Sequence, residues 1–507
     1  MKRYGFLAFG AFAVLAAAAA WLGGLNQDEG WYLYAAKMVD EGRMPYRDFF
    51  YTQGPLLPLV YSQFVWTWDS FGLLGARAFT CAIGFAGFLF AAFLARSCVP
   101  QPRRTAAGLM VFTLLACNLY HVYYTTIPKT YALASLFVTA GFLSLSAALS
   151  RSGGRARAAY FAIAGFSLAL AAGTRISLGL LLASSGLVLL LSFSTQRFAF
   201  LWFGLGGFLG LAAVYGPFVA DPDAFAGLCA AQKYHAARSG FSLTMVVGSL
   251  SRLVRWYLPV FVLLAAAIAM RFRRAKTDEE GRPAILTHLI AGFAVVFTVQ
   301  MLAPVPYDDY NTPIMGIAAV LAAAAASRCA PEDCGGKASA APLFAAMAMT
   351  FACSFGSPLL EKWTTNGIDR FWPIVKEKCE MAQLRDAAGK IEKLDPGGKE
   401  LLTQDLYLAI ETRRRVPDGL EMGPFSQLST DEWRELLSTC TAPVAALSGY
   451  SFAILPPSCV ERKLDEQLEF WSILRSRYES AGHVDAFGQN ATTLVLLRAK
   501  RTEAQAK

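Results

Sequence analysis

Residues 5–36 read GFLAFGAFAVLAAAAAWLGGLNQDEGWYLYAA. Residues 5–22 carry no charge, are long enough to cross a hydrocarbon core of ~30 Å, and lead directly into an acidic, aromatic segment. With Lys2 and Arg3 in front and an Ala-rich end, the run can be misread as a cleavable signal peptide, but a retained span is the favoured reading. Retention puts every later loop on the side its charges require. Ten further apolar runs follow, approximately at 71–94, 106–120, 131–149, 158–172, 176–193, 198–219, 254–270, 285–302, 314–326 and 341–355. The fold class read from them is an α-helical polytopic membrane protein with about eleven transmembrane helices.

Composition agrees. Of the 507 residues 55% are hydrophobic and 16% charged, against roughly 25% charged in soluble domains, and the mean hydropathy is +0.39. A single soluble core is excluded. The formal charge of +9 is not a nucleic-acid-binding face, because Lys and Arg sit between the apolar runs. Lys2 and Arg3, Arg103 and Arg104, Arg151 to Arg157, Arg197, Arg271 to Lys276, and Arg328 and Lys337 fall on one side, which the positive-inside rule makes cytoplasmic. The opposite loops carry Asp28, Glu29, Asp40, Glu41 and Asp48, then Asp221 and Asp223, then Asp308 and Asp309.

The expected organisation is a membrane domain over 1–357 and a small α/β domain over 358–507. Residues 23–70 form a long first periplasmic loop with short interfacial helices at 28–39 and 54–66. After residue 358 charge rises to soluble density, with a helical pattern at 368–394 and strand-like runs at 399–410, 444–455 and 492–497. An odd span count places this domain outside, on the face of Asp28. Cys81, Cys98, Cys117, Cys229 and Cys353 pack as small hydrophobes. Among Cys379, Cys440 and Cys459, in an oxidising space, one pair can be bridged. Cys329 and Cys334 sit in a cytoplasmic loop without further ligands.

Asp28 and Glu29 stand just beyond the exit of the first span. A low dielectric there raises carboxylate basicity, which suits a general base; an acidic first helical turn facing a helix dipole is the alternative. Lys129 and Arg175 are cations at span ends on the acidic face. A lipid phosphate, ordinary headgroups or an acidic partner would each account for them. His235 and Arg238 are i, i+3 neighbours in the loop 221–245. Asp308 and Asp309 form a second acidic pair able to hold a polar acceptor or a divalent cation, although two adjacent acids are a weak metal signal. His288 and His483 belong to no cluster. The chain has no phosphate-binding glycine loop, nucleophile elbow or metalloprotease pattern, so ATP-driven transport and serine hydrolysis lack support.

The run from Asp28 through Ala36, followed by Gly42, Pro45-Tyr46-Arg47-Asp48-Phe49-Phe50 and Gly54-Pro55-Leu56, resembles the first outer loop of bacterial GT-C glycosyltransferases of the dolichyl-phosphate-mannose protein mannosyltransferase and ArnT-like superfamily. Gly72 to Arg77 is similar to the start of that family's second span, and Leu402 to Asp405 through Arg415-Val416-Pro417 resembles its extracytoplasmic domain. The resemblance implies a bacterial inner-membrane enzyme with a cytoplasmic N-terminus and a periplasmic C-terminal domain. Such an enzyme moves a hexosyl or pentosyl group from a polyprenyl-phosphate donor to a lipid A, glycan or protein hydroxyl. It implies Asp28, with Glu29 beside it, as the catalytic acid pair, and Lys129 and Arg175 as ligands of the donor phosphate. Tyr32, His235, Arg238, Asp308 and Asp309 become candidate acceptor contacts, with a divalent cation left open as cofactor. Many relatives have a His before the Tyr of the late outer loop, where this chain has Asp308-Asp309-Tyr310.

The chemistry fits independently of the family. Displacing a lipid phosphate from an anomeric carbon needs a base for the incoming hydroxyl, and the leaving phosphate needs cations more than a proton. Glycoside hydrolysis would need a second carboxyl as acid. Nothing in the sequence points to a covalent sugar intermediate, so inversion is expected. A flippase of lipid-linked sugars is the alternative, but it would bury ionisable residues near mid-span. The charge alternation is open to a direct test. A reporter active only outside the cytoplasm should give signal when fused after Lys507 and none when fused within 273–281; the reverse pattern overturns the orientation.

Overall fold

The computed structural model describes residues 2–236, 242–273, 284–303, 305–329, 341–354, 379–426, 428–448, 471–489 and 491–500. Helices α1 (Lys2–Trp21), α2 (Gln27–Asp40), α3 (Leu56–Tyr61), α4 (Trp66–Ser97), α5 (Arg104–Ala116), α6 (Leu119–Tyr124), α7 (Thr130–Leu149) and α8 (Arg155–Thr174) come first. They are followed by α9 (Gly179–Leu191), α10 (Phe193–Ala220), α11 (Pro222–Ala236), α12 (Leu243–Trp256), α13 (Leu258–Arg273), α14 (Ile285–Met301), α15 (Thr312–Cys329) and α16 (Ala341–Ser354).

The eleven apolar runs fall on helical segments, and among the described residues six helices are long and apolar enough to span a membrane, or seven if α12 and α13, bent by 88°, form one span. The expected count of eleven is thus not matched by length and composition among the described residues. The segments 104–116, 176–191, 285–301 and 341–353 are apolar but shorter. At 1.5 Å per residue α5 rises only about 20 Å, against the ~30 Å of a bilayer core. The chain is a multi-pass membrane protein.

The described residues fall into two compact units. The first gathers residues 1–20, 52–57 and 78–367, with α8 packed between α7 and α10, α9 on α14, and α15 against α5, α7 and α13. The second gathers 21–51, 58–77 and 368–507. It contains α17 (Glu380–Leu394), α18 (Leu406–Thr412), α19 (Thr430–Thr439) and strands β1 (Val444–Ser448), β2 (Tyr478–Phe487) and β3 (Thr492–Ala499), in an antiparallel sheet of order β1-β3-β2.

Two sequence expectations change here. The run 399–410 is not a strand: Glu400 and Leu402 make isolated bridges to Arg415 and Ala445, and the chain then turns into α18, whose residues Leu406 to Ile410 are all buried. A helix buried on every side shows no amphipathic period. The edge strand β2 escaped notice because most of its residues are polar or small. The expected helix at 368–394 is present from Glu380 onward, its first part lying outside the described residues.

Unit 2 is assembled around α2. Asn26 caps it, accepting from the Asp28 backbone while Glu29 reaches back to the Asn26 N–H at 2.9 Å, a reciprocal capping box. The same Glu29 carboxylate takes two hydrogen bonds of 2.7 Å from Arg77, whose remaining guanidinium N–H groups donate to the carbonyls of Gly23 and Gly24. Both side chains are 0% exposed. At Gly30, α2 meets α18 so closely that a Cβ would collide with the Tyr407 backbone. Breaking a fully buried ion pair costs about 3–5 kcal/mol, because the remaining charge has no solvent. Arg77→Met is expected to lower the thermal transition of the purified chain by several degrees, and Glu29→Leu added to it should recover part of the loss. A double variant no better than the single one would show that the pair does not hold unit 2.

Candidate active site

In unit 2 the two neighbouring carboxylates have different fates. Glu29 is enclosed and committed to Arg77 and the helix cap. Asp28, one residue earlier in the first turn of α2, is half-buried, and its Oδ1 accepts from the Trp31 indole N–H at 3.2 Å. Trp31 stacks on Tyr32 at 3.8 Å between ring centroids, and Tyr51 stands edge-on to both. One turn on, burial pushes the Tyr34 phenol up to about 12, so it stays neutral and its oxygen accepts from the Val416 N–H at 3.0 Å. On the neighbouring side Gln27 Nε2 donates to Asp405 at 2.7 Å. The first turn of α2 is therefore rigid, and Asp28 is its half-exposed acid.

In unit 1 the cations and the second acidic pair meet. Lys129, buried at the start of α7, lies 3.2 Å from Asp309, and the Tyr131 hydroxyl donates to the same carboxylate oxygen at 2.9 Å. Arg175 follows α8 in extended conformation, donates to Thr130 Oγ1 at 3.1 Å, and lies over the rings of Tyr131 and Tyr310 at 5.0 and 4.6 Å. Lys129 stands 4.9 Å from the same Tyr131 ring, so one phenol is flanked by two cations, an attractive arrangement for a π face. Asp308 accepts from Tyr120 at 2.5 Å and from Arg252 Nε at 3.0 Å.

Arg175 also lines a cavity of about 210 Å³ shared with Thr52, Gln53, Ser177, Gln300 and Tyr310. Its wall is drawn tight at Gly54, where a Cβ would strike the Gly173 carbonyl, so only glycine admits this approach. Among the described residues no three His, Cys, Asp or Glu side chains gather as a cation would require. Each of Asp308 and Asp309 already faces its own cation and phenol, a poor fit to a resident divalent ion.

No family model matches the sequence, and no curated protein does. Solved structures do. ArnT from Cupriavidus metallidurans in the apo state is 15% identical, with 98% of each chain covered and a TM-score of 0.62. Its form bound to undecaprenyl phosphate covers 97% of each chain at the same TM-score. The chain has the ArnT-like GT-C fold. The apo oligosaccharyltransferase of Archaeoglobus fulgidus is a more distant match, at 11% identity and a TM-score of 0.51, covering 93% of this chain and 73% of that one.

Within this ArnT-like fold Lys129, Arg175 and Asp309 come together around Tyr131, while Asp28, Glu29 and Tyr32 cluster at the start of α2. His235 is on the last turn of α11 and its side chain is outside the described residues, as is the whole of Arg238. Cys379 and Cys440 are free thiols, and Cys459 lies outside the described residues. Sequence reasoning missed Arg77, Arg252, Tyr131 and Gln300. Each is a polar residue inside an apolar run or helix, the signal that could have found it. Because Asp308 and Asp309 are already ion-paired, a manganese titration followed by electron paramagnetic resonance is expected to give the same bound fraction for the natural chain and Asp309→Asn. Binding lost in the variant would contradict this.

Proposed function

We propose that this chain is a membrane glycosyltransferase that moves a sugar from a polyprenyl-phosphate donor to an acceptor hydroxyl on lipid A, a glycan or a protein, at the periplasmic face of a bacterial inner membrane. The observation that carries the reading is the Arg175 guanidinium on a cavity wall, in a fold that in C. metallidurans ArnT takes undecaprenyl phosphate. Asp28 serves as general base. The acceptor oxygen forms its bond to the anomeric carbon as the bond from that carbon to phosphate breaks; the acceptor proton passes to Asp28 and the electron pair leaves with the phosphate. The configuration inverts.

Arg175 and Lys129 hold the leaving phosphate, Lys129 from its place beside Asp309. Guanidinium suits this task because it stays protonated and forks onto phosphate oxygens. Tyr32, His235 and Arg238 are the acceptor contacts in this reading. Asp308 and Asp309 hold the cations Arg252 and Lys129 in place, and Glu29 is a positioning residue for Asp28.

Asp28→Asn keeps size and hydrogen bonding but removes the base, so transfer should fall by ~10²-fold or more while donor binding survives. Arg175→Gln removes a charge-assisted contact worth about 1.5–3 kcal/mol and should weaken donor affinity by roughly ten- to a hundredfold, with little change in acceptor dependence. Steady-state kinetics varying donor and acceptor separately checks both. Near-normal transfer by Asp28→Asn would remove the base from the mechanism.

A further inference from the structure

The cavity beside Arg175 has a second polar wall that phosphate binding does not use. Gln300, in the last turn of α14, is 3% exposed, and neither its Nε2 nor its Oε1 has a hydrogen-bond partner among the described residues. Gln232 Nε2, on the same cavity, is buried and unpartnered as well. Buried amides are hydrogen-bonded in the great majority of proteins, so an amide that the protein leaves unpaired on a cavity wall is set to meet what enters the cavity. An amide presents two donors and an acceptor, the complement of sugar hydroxyls, each of which can both donate and accept.

The charge of the wall narrows the ligand further. Among the described residues its lining includes Arg175 and three glutamines, and no Asp or Glu. A cationic amino sugar would lose its hydration there, find no carboxylate on this wall among the described residues and face a guanidinium. A neutral sugar has no such cost. The volume of about 210 Å³ leaves room for a sugar ring.

We propose that this cavity is the subsite for a single uncharged, hydroxyl-rich sugar ring, and that Gln300 is the residue that selects it. The inference rests on the glycosyl-transfer reading above and names the class of donor: a polyprenyl phosphate bearing a neutral monosaccharide. Amino sugars are disfavoured.

The test uses the purified full chain in lipid nanodiscs and four probes: undecaprenyl phosphate alone, and the same carrier bearing glucose, arabinose or glucosamine. At least one neutral-sugar carrier should bind tenfold or more tighter than both the bare and the glucosamine carriers. Gln300→Leu should erase that preference while leaving affinity for bare undecaprenyl phosphate and the thermal transition unchanged. Gln300→Glu, which retains the shape and adds a carboxylate, should shift preference towards the glucosamine carrier. Equal binding of bare and neutral carriers, tighter binding of the glucosamine carrier, or a preference that survives Gln300→Leu would overturn the inference and leave the transferase reading standing. Binding of none of the four would overturn both.

Discussion

The Glu29 to Arg77 ion pair is the constraint on which unit 2 depends. Two unit charges without solvent contact are tolerable only when every lone pair and N–H is used, and here the carboxylate also completes the α2 cap while the guanidinium takes the carbonyls of Gly23 and Gly24. One pair thereby fixes the segment before α2 and the start of α2, where Asp28 lies. A general base needs a defined direction as much as a suitable basicity. In the proposed mechanism the capped first turn of α2 supplies it.

The chain uses adjacent acids twice, with opposite consequences. In Asp28-Glu29 one member is fully neutralised and the other is half-exposed. In Asp308-Asp309 both are neutralised, by Arg252 and Lys129, with Tyr120 and Tyr131 completing their hydrogen bonds. The first pair leaves one acid half-exposed; the second has both on cations. Lys129 and Arg175 flank one Tyr131 ring, so the position of Lys129 is set by an acid and an aromatic face together.

Much of this was legible in the sequence. Apolar runs marked the helices, because burial and lipid exposure both demand them, and the acidic first loop marked α2. What could not be read were partners distant in the chain. Nothing near Asp309 advertises Lys129, 180 residues away, and nothing near Gly30 advertises the Tyr407 backbone. Helix ends were not legible either, since an apolar run does not reveal where it bends, as between α12 and α13. The strand reading of 399–410 failed because uniform burial of Leu406 to Ile410 erases the period that separates helix from strand.

The central claim is that the phosphate-to-sugar bond breaks, as opposed to an intact lipid changing leaflets. Polyprenyl-phosphate sugars labelled with ³²P can be extracted from cells lacking the chain and mixed with envelope vesicles from the same cells, which hold the acceptor, and with the purified protein. The account requires label to appear as unglycosylated polyprenyl phosphate, mole for mole with sugar incorporated into the envelope. Labelled lipid that remains glycosylated, whether or not it crosses the bilayer, would contradict it.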